Sequence, residues 1–187
     1  PSFNVYSESG SFYCFGCGVG GDVVSFIMRI ENLDYVDAIK YLAQRAGLDM
    51  PENNYDDSMG RLRNRVLEAN REAAKFYYNT LCSPQGGKGL DYFHSRALSD
   101  RTIRHFGYAD DNWSSLCTHL KSKGFKDSEL VAANLAVNRK NGGGIYDRFT
   151  DRVMFPIINP RGNVIAFGGR IMSDAKPKYL NTSDTPV

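Results

Sequence analysis

Two strand-length runs in the last quarter of the chain are almost continuously apolar. They span Val153 to Ile158 and Val164 to Phe167, separated by Asn159-Pro160-Arg161-Gly162. A proline that presets φ and a glycine that tolerates positive φ make that tetrapeptide a turn. The pattern predicts a β-hairpin buried on much of both faces. At the other end, Phe3 and Val5 precede Ser9-Gly10, and Phe12, Tyr13 and Phe15 follow it. That alternation predicts two short antiparallel strands leading into the glycine-rich knuckle CFGCGVGG. Between the two hairpins the apolar period becomes helical. Asp22 caps Val23, Val24, Phe26, Ile27 and Ile30; Asp34 caps Val36, Ile39, Tyr41, Leu42 and Ala43, with Gly47 as the stop. Leu62, Val66, Ala69, Ala73, Phe76, Tyr77 and Leu81 predict one long amphipathic helix from Met59 to Leu81. Its Arg61, Arg63, Arg65, Arg71 and Lys75 fall mostly on other faces, read as a solvated surface.

Shorter helices follow. LDYFHSRALSDRTIRHFGYA predicts two, the second capped by Ser99 and closed by Gly107. Trp113 heads another that runs to about Lys123, with Leu116, Leu120 and later Phe125 on its apolar side, and Asp127 caps a last one from Ser128 to Asn134. The turn NRKNGGG leads from there to the apolar hairpin. Residues 51–57, PENNYDD, are polar and rich in breakers, which predicts a boundary. The expected organisation is α+β: a small module over 1–52, a linker over 53–58 and a mixed helix–sheet body over 59–187.

Charge changes the picture once the chain is divided there. Of the 187 residues, the first 57 carry three Lys/Arg against nine Asp/Glu, and the remainder twenty against twelve. The overall net charge of +2 therefore conceals an acidic front and a cationic body, and a cationic body suits a polyanionic partner. No run approaches 18 apolar residues and the polar start is not a signal peptide, so no membrane association is expected. A chain that begins at Pro1 and ends within a polar run is expected to be cut from a longer one.

Four cysteines, one close pair and two singletons, do not make a secreted disulfide framework and imply a reducing, cytoplasmic setting. Cys14 and Cys17 form a CxxC, which has three readings: half a zinc site, a redox pair, or two core cysteines. A redox pair sits at a helix start after a βα pattern, whereas this one follows a hairpin, which favours zinc. No second pair of ligands stands at a matching spacing, since His94, His105 and His119 lie in a helical region and Cys82 and Cys117 stand alone. Around the apolar hairpin, Arg148, Arg152, Arg170, Lys176 and Lys178 recur as cations, and Gly168-Gly169 leaves bare backbone beside Arg170. On local pattern alone they fit a solvated sheet rim as well as a nucleic-acid surface. Likewise, Trp113 on its own fits a core anchor.

Three strings point further: PSF followed by a hairpin and CFGCGVGGD; YFHSRALSDRTIRHFGYA; and RVMFPI, GNVIAFGGR and PKYLN in succession. Together they resemble bacterial DnaG-type primases along nearly the whole chain, from the rear of the zinc-binding module to the front subdomain of the RNA polymerase domain. The resemblance implies synthesis of short RNA primers on a single-stranded DNA template at replication forks. It also implies a zinc ribbon whose first two ligands precede the PSF, and Mg2+ or Mn2+ held by a toprim core that follows PKYLN. A replicative helicase would be engaged through a further C-terminal domain. By position in the motifs it assigns Arg96, Trp113, Arg148, Arg152, Arg170, Lys178 and Asn181 to a single-strand-binding track, with Cys14 and Cys17 as metal ligands and no catalytic carboxylate in this stretch. Two departures stand out: Ala97 replaces the usual glycine, and Thr150 replaces a frequent basic residue. The alternatives are a non-enzymatic zinc-ribbon single-stranded DNA-binding protein of a mobile element or phage and, more remotely, a thiol oxidoreductase.

Overall fold

The computed structural model describes residues 2–48 and 58–187, so the linker expected over 53–58 lies almost wholly outside the described residues. Two compact units are present, Pro1–Gly60 and Arg61–Val187.

The first unit carries a three-stranded antiparallel sheet in the order β1 (Phe3–Tyr6), β2 (Ser11–Cys14), β3 (Gly20–Asp22). The third strand escapes the apolar pattern because glycines supply two of its three residues. Gly20 is needed there, since a Cβ would lie 2.6 Å from a Tyr13 ring carbon and 2.9 Å from the Phe12 carbonyl oxygen. Helix α1 (Val23–Ile30) is capped by the Asp22 carboxylate, which accepts the Ser25 N–H at 2.8 Å. Asp34 caps α2 (Tyr35–Ala46) in the same way through the Asp37 N–H, and Gly47 ends it at φ 67°. A triad of rings, Phe3, Phe12 and Phe26, with centroids 5.2 to 6.0 Å apart, holds sheet and α1 together.

The second unit is built on α3 (Ser58–Leu81) and a four-stranded antiparallel sheet in the order β4 (Gly107–Ala109), β7 (Arg152–Ile158), β8 (Val164–Ile171), β9 (Tyr179–Asn181). Because strand residues alternate sides, Met154 and Phe167 face a core that includes Val66, Ala73 and Tyr77 of α3. Val153 faces a second cluster with Leu81, Phe93, Ile103 and Tyr108. Helices α4 (Gly87–Ser95) and α5 (Asp100–Ile103) contribute Phe93 and Ile103 to that second cluster, while α6 (Ser115–Ser122) and α7 (Asp127–Ala132) contribute Leu116, Leu120 and Leu130 to the first. A separate hairpin, β5 (Ala136–Asn138) and β6 (Ile145–Asp147), flanks the turn NRKNGGG.

Several local expectations are corrected. Gly107 closes no helix but opens β4, where its missing side chain lets the strand lie against Tyr77. Asp127 lies inside α7; the cap is Lys126, whose N–H is accepted by the Glu129 carboxylate at 2.8 Å. Arg65 is no solvated cation. Its Nε and one terminal nitrogen donate to the two Glu129 oxygens at 2.9 and 3.2 Å, its other terminal nitrogen donates to Glu68, and its guanidinium covers the Phe125 ring. This pairing clamps α3 to α7. The half-buried hydrogen bond between them raises the Arg65 pKa and lowers that of Glu129.

Candidate nucleic-acid interface

Strand register decides which side chains share a surface. Arg170 on β8 lies between Val153 on β7 and Tyr179 on β9, and Gly168 lies between Phe155 and Asn181. Val153 and Phe155 are occupied by the second core cluster, so the free end of this face is formed by Gly168, Arg170, Tyr179 and Asn181. A Cβ on Gly168 would meet only the Asn181 side-chain oxygen at 3.3 Å, which leaves bare backbone open to a close approach. Gly169 points the other way and differs: its space is filled by Arg152, Phe149 and Met154 at 3.0 to 3.2 Å. Of the two glycines, Gly169 therefore serves internal packing.

From this face contacts run in both directions. Arg148 donates to the Asn181 carbonyl at 3.2 Å and to the Ser183 hydroxyl at 3.1 Å. The residue before it, Asp147, is buried and donates its N–H to the Trp113 carbonyl at 2.8 Å. Its carboxylate accepts the Leu116 and Cys117 N–H groups, both at 2.8 Å, so a residue of β6 caps the start of α6. Burial raises the Asp147 pKa, opposed by hydrogen bonds from Cys117 and Leu116. Trp113 itself is 59% exposed. Asx turns present it, with Asp110 accepting the Asn112 N–H at 3.1 Å and Asn112 accepting the Ser114 N–H at 3.0 Å. Its ring leans on Tyr146 at 5.6 Å, and the Arg139 guanidinium lies 5.6 Å from the same tyrosine. In the other direction, Arg170 lies over the Tyr92 ring of α4, as does Arg96. Two groups result: Trp113, Asp147, Arg148 and Asn181 on one side and Arg170, Tyr92 and Arg96 on the other, with Asn181 and Arg170 set two register positions apart on β9 and β8.

Lys178 is exposed, and its carbonyl accepts the Ile171 N–H at 3.0 Å. Arg152 is placed differently from the others. It is 5% exposed, and its guanidinium donates to the Pro177 carbonyl at 3.1 and 3.2 Å and to the Gly169 carbonyl at 3.3 Å. Burial lowers its pKa, and its hydrogen bonds fasten the segment that carries Lys178. Motif reasoning missed Tyr92, Arg139, Tyr146 and Tyr179. The signal available for Tyr92 was its spacing four residues before Arg96, which places two side chains together at a helix surface.

A cavity of about 730 Å³ also lies in this unit, lined by Asp110, Asp111, Gln85, Lys88 and several hydroxyls. Two carboxylates in its wall make it a poor seat for a polyanion.

The knuckle of the first unit holds Cys14 and Cys17 beside a turn in which the Gly18 N–H donates to the Cys14 carbonyl at 2.8 Å. The Cys17 N–H, then the Cys17 thiol and the Gly16 N–H, lower the Cys14 pKa to about 7. A thiol so disposed is ready to bind zinc as thiolate. Two thiols fit half a tetrahedral site, and no group of three or more His, Cys, Asp or Glu side chains converges among the described residues. His94 pairs with Asp100 at 3.1 Å and His119 leans on Phe76, so both have local partners.

Residues 76–187 match the family described as DNA primase catalytic core, N-terminal domain, and residues 1–58 match the CHC2 zinc finger. The chain is 38% identical to a DNA primase of Clostridium acetobutylicum, over the whole of this chain and 31% of that protein. It thus spans about a third of the length of the curated relatives it matches. Among solved structures, the zinc-binding and RNA polymerase domains of Aquifex aeolicus primase align with 99% of this chain and 44% of that one, at 33% identity and a TM-score of 0.57. A DnaG primase catalytic domain bound to single-stranded DNA aligns with 67% of this chain and 41% of that one, at 32% identity and a TM-score of 0.63.

Proposed function

The chain belongs to the DnaG-type family of DNA primases, and on that premise we propose that its second unit holds single-stranded DNA template for the synthesis of short RNA primers by the whole protein. One observation carries this reading: Arg170, stacked with Arg96 on Tyr92, and Asn181, held by Arg148, stand at neighbouring positions of β8 and β9 beside the open Gly168 backbone. Arg96, Arg148, Arg170 and Lys178 neutralise phosphates, the Asn181 amide donates to the strand, and Trp113 stacks a base. Arg152 works indirectly, by bracing Pro177 and with it Lys178. The phosphoryl-transfer chemistry, which in this class uses divalent metal ions held by carboxylates, is assigned to none of these 187 residues. Zinc is the metal that the CHC2 match implies for the first unit, where Cys14 and Cys17 would hold it and fix the knuckle.

Salt-titrated fluorescence anisotropy with a labelled single-stranded oligonucleotide tests the reading. Arg170→Ala and Lys178→Ala should each lower the slope of log affinity against log salt by about 0.7, the single-strand value per phosphate. Arg71→Ala, on the exposed side of α3, should leave it unchanged. Trp113→Ala should cost about 1–3 kcal/mol with the slope intact, and Trp113→Phe much less, because stacking releases no counterions. Equal slopes for Arg170→Ala and Arg71→Ala would remove the track from this face.

A further inference from the structure

Tyr92 occupies an unusual position between two cations. Its neighbour Phe93 points inward, fully buried, and packs against Phe106 and Phe155. Tyr92 is half-buried and packs on the edge of the same cluster. The Arg170 guanidinium carbon stands 4.5 Å from the ring centroid and that of Arg96 stands 5.4 Å from it. Among the described residues the Tyr92 ring is the contact of each guanidinium, with no ion-pair partner, and the Arg170 Nε is buried without an acceptor. Two cations brought from separate elements, the C-terminal ends of α4 and of β8, therefore share one aromatic platform and no carboxylate. Their mutual repulsion is opposed by the attraction of each for the ring. Among the described residues neither receives an anion, so the terminal nitrogens of both stay available to the same stretch of ligand.

We propose that Tyr92 is a positioning residue for the template strand: its ring holds Arg96 and Arg170 at a fixed separation, so that the two engage the phosphate backbone as a unit. This rests on the single-stranded DNA reading above. It adds that two of the cations act together and that an uncharged residue makes them do so. A planar guanidinium laid on a ring loses less freedom when it takes a phosphate than one swinging freely in water, so the arrangement prepays part of the ordering cost of binding.

The test is a mutant cycle on the 187-residue chain, read by anisotropy with single-stranded oligonucleotide across a salt series. Arg96→Ala and Arg170→Ala should each lose nearly as much affinity as the double variant, because removing either member dissolves the unit. In a Tyr92→Leu background the two losses should become smaller and additive, and Tyr92→Leu alone should weaken binding roughly fivefold to thirtyfold, the range that two cation–π contacts cover. Tyr92→Phe keeps the ring and should bind within about twofold of the parent. A series of increasingly fluorinated phenylalanines at position 92 preserves shape and folding while draining the ring of negative charge. Affinity should fall stepwise along it. A flat series, or a non-additivity between Arg96 and Arg170 that survives in the Tyr92→Leu background, would overturn the positioning role while the arginine effects on salt slope stand. Arginine variants that change neither affinity nor slope would instead overturn the template reading, and this inference with it.

Discussion

The two units solve the same folding problem with very different means. Among the described residues of Pro1–Gly60 the buried hydrophobic ones are Phe12, Ala38 and Ala43, and α1 buries none of its side chains completely, although five of its eight positions are Val, Phe or Ile. Val5, Phe15, Val23, Ile30, Tyr35 and Leu48 are exposed. In Arg61–Val187 two clusters bury Tyr77, Phe93, Phe149 and Phe167 to 1% exposure or less. Small domains bury too little surface to be stable unaided and rely on a metal or a covalent staple. The contrast assigns the knuckle cysteines a structural task, while the second unit rests on its own core. Truncating that core is the strongest way to break the comparison. Phe167→Ala should cost about 3–5 kcal/mol, the usual range for a fully buried phenylalanine. Urea unfolding followed by amide hydrogen exchange should place that loss in residues 61–187 and leave protection in the first unit unchanged; a loss spread evenly over both would show that they do not unfold separately.

Electrostatic fastening differs as well. The Arg65–Glu129 pair joins positions 64 residues apart, whereas a pair in the first unit, Lys40 with Asp37 at 4.0 Å, spans one helical turn. Glu129→Gln should destabilise the second unit by about 1–2 kcal/mol, since it weakens a two-point charge-assisted contact and the Lys126 cap together. The Arg65 hydrogen bonds hold the folded pKa of Glu129 below its ordinary value of 4.5. A depressed carboxylate stabilises the fold above that ordinary value and ceases to do so as the pH falls through the folded one. The difference between parent and variant should therefore be constant near neutrality and shrink below about pH 4.5 in acid-unfolding curves. A difference that persists undiminished at low pH would trace it to packing.

A finer comparison sets two helix ends side by side. Helix α2 ends with the Leu48 N–H donating to the Ala43 carbonyl and Gly47 at φ 67°; α4 ends with the Leu98 N–H donating to the Phe93 carbonyl and Ala97 at φ 57°. Both are the same hydrogen-bonded stop, but only one uses the residue suited to left-handed backbone. Ala97→Gly relieves about 1–2 kcal/mol of strain and costs about 0.5–1 kcal/mol in chain entropy. A net gain of about 0.5–1 kcal/mol in thermal unfolding is expected; a net loss would mean the Ala97 methyl packs better than its backbone angle suggests.

These cases show what can be read from a sequence. Helices α1 and α2 were legible because their caps and apolar period agree, at Asp22, Asp34 and Gly47, and α3 was legible from its apolar period alone. Strands β3 and β9 were not, because Gly20-Gly21-Asp22 and Tyr179-Leu180-Asn181 are too short to show an alternation and are held by their neighbours. Arg65 looked solvated because its partner Glu129 is remote in sequence, and Asp147 as the cap of α6 is invisible for the same reason. At the candidate interface, the arginines around the apolar hairpin stand out as charges in an apolar context. Sequence spacing could not separate Arg152, turned inward under Pro177, from Arg170, turned outward over Tyr92. Both lie in strands where one step changes the face.

Cysteine chemistry gives the gentlest probe of the contrast, because it reads the two units without perturbing either fold. Cys14 lies on the knuckle with its pKa lowered to about 7 by the Cys17 N–H and thiol and the Gly16 N–H. Cys117 is 4% exposed, and burial pushes its thiol well above the ordinary range. Since the thiolate is the reactive form, iodoacetamide should modify Cys14 in the native protein with a rate that reaches half its plateau near pH 7. Cys117 should stay unmodified until the second unit unfolds. Zinc ions should slow the reaction at Cys14 and Cys17 and leave Cys117 unaffected, as two thiolates brought to one metal lose their nucleophilicity together. Mass spectrometry of the alkylated peptides resolves the three sites. Native-state modification of Cys117 at a rate like that of Cys14 would mean that the core of the second unit opens as readily as the knuckle, and the comparison would fail at its most protected point.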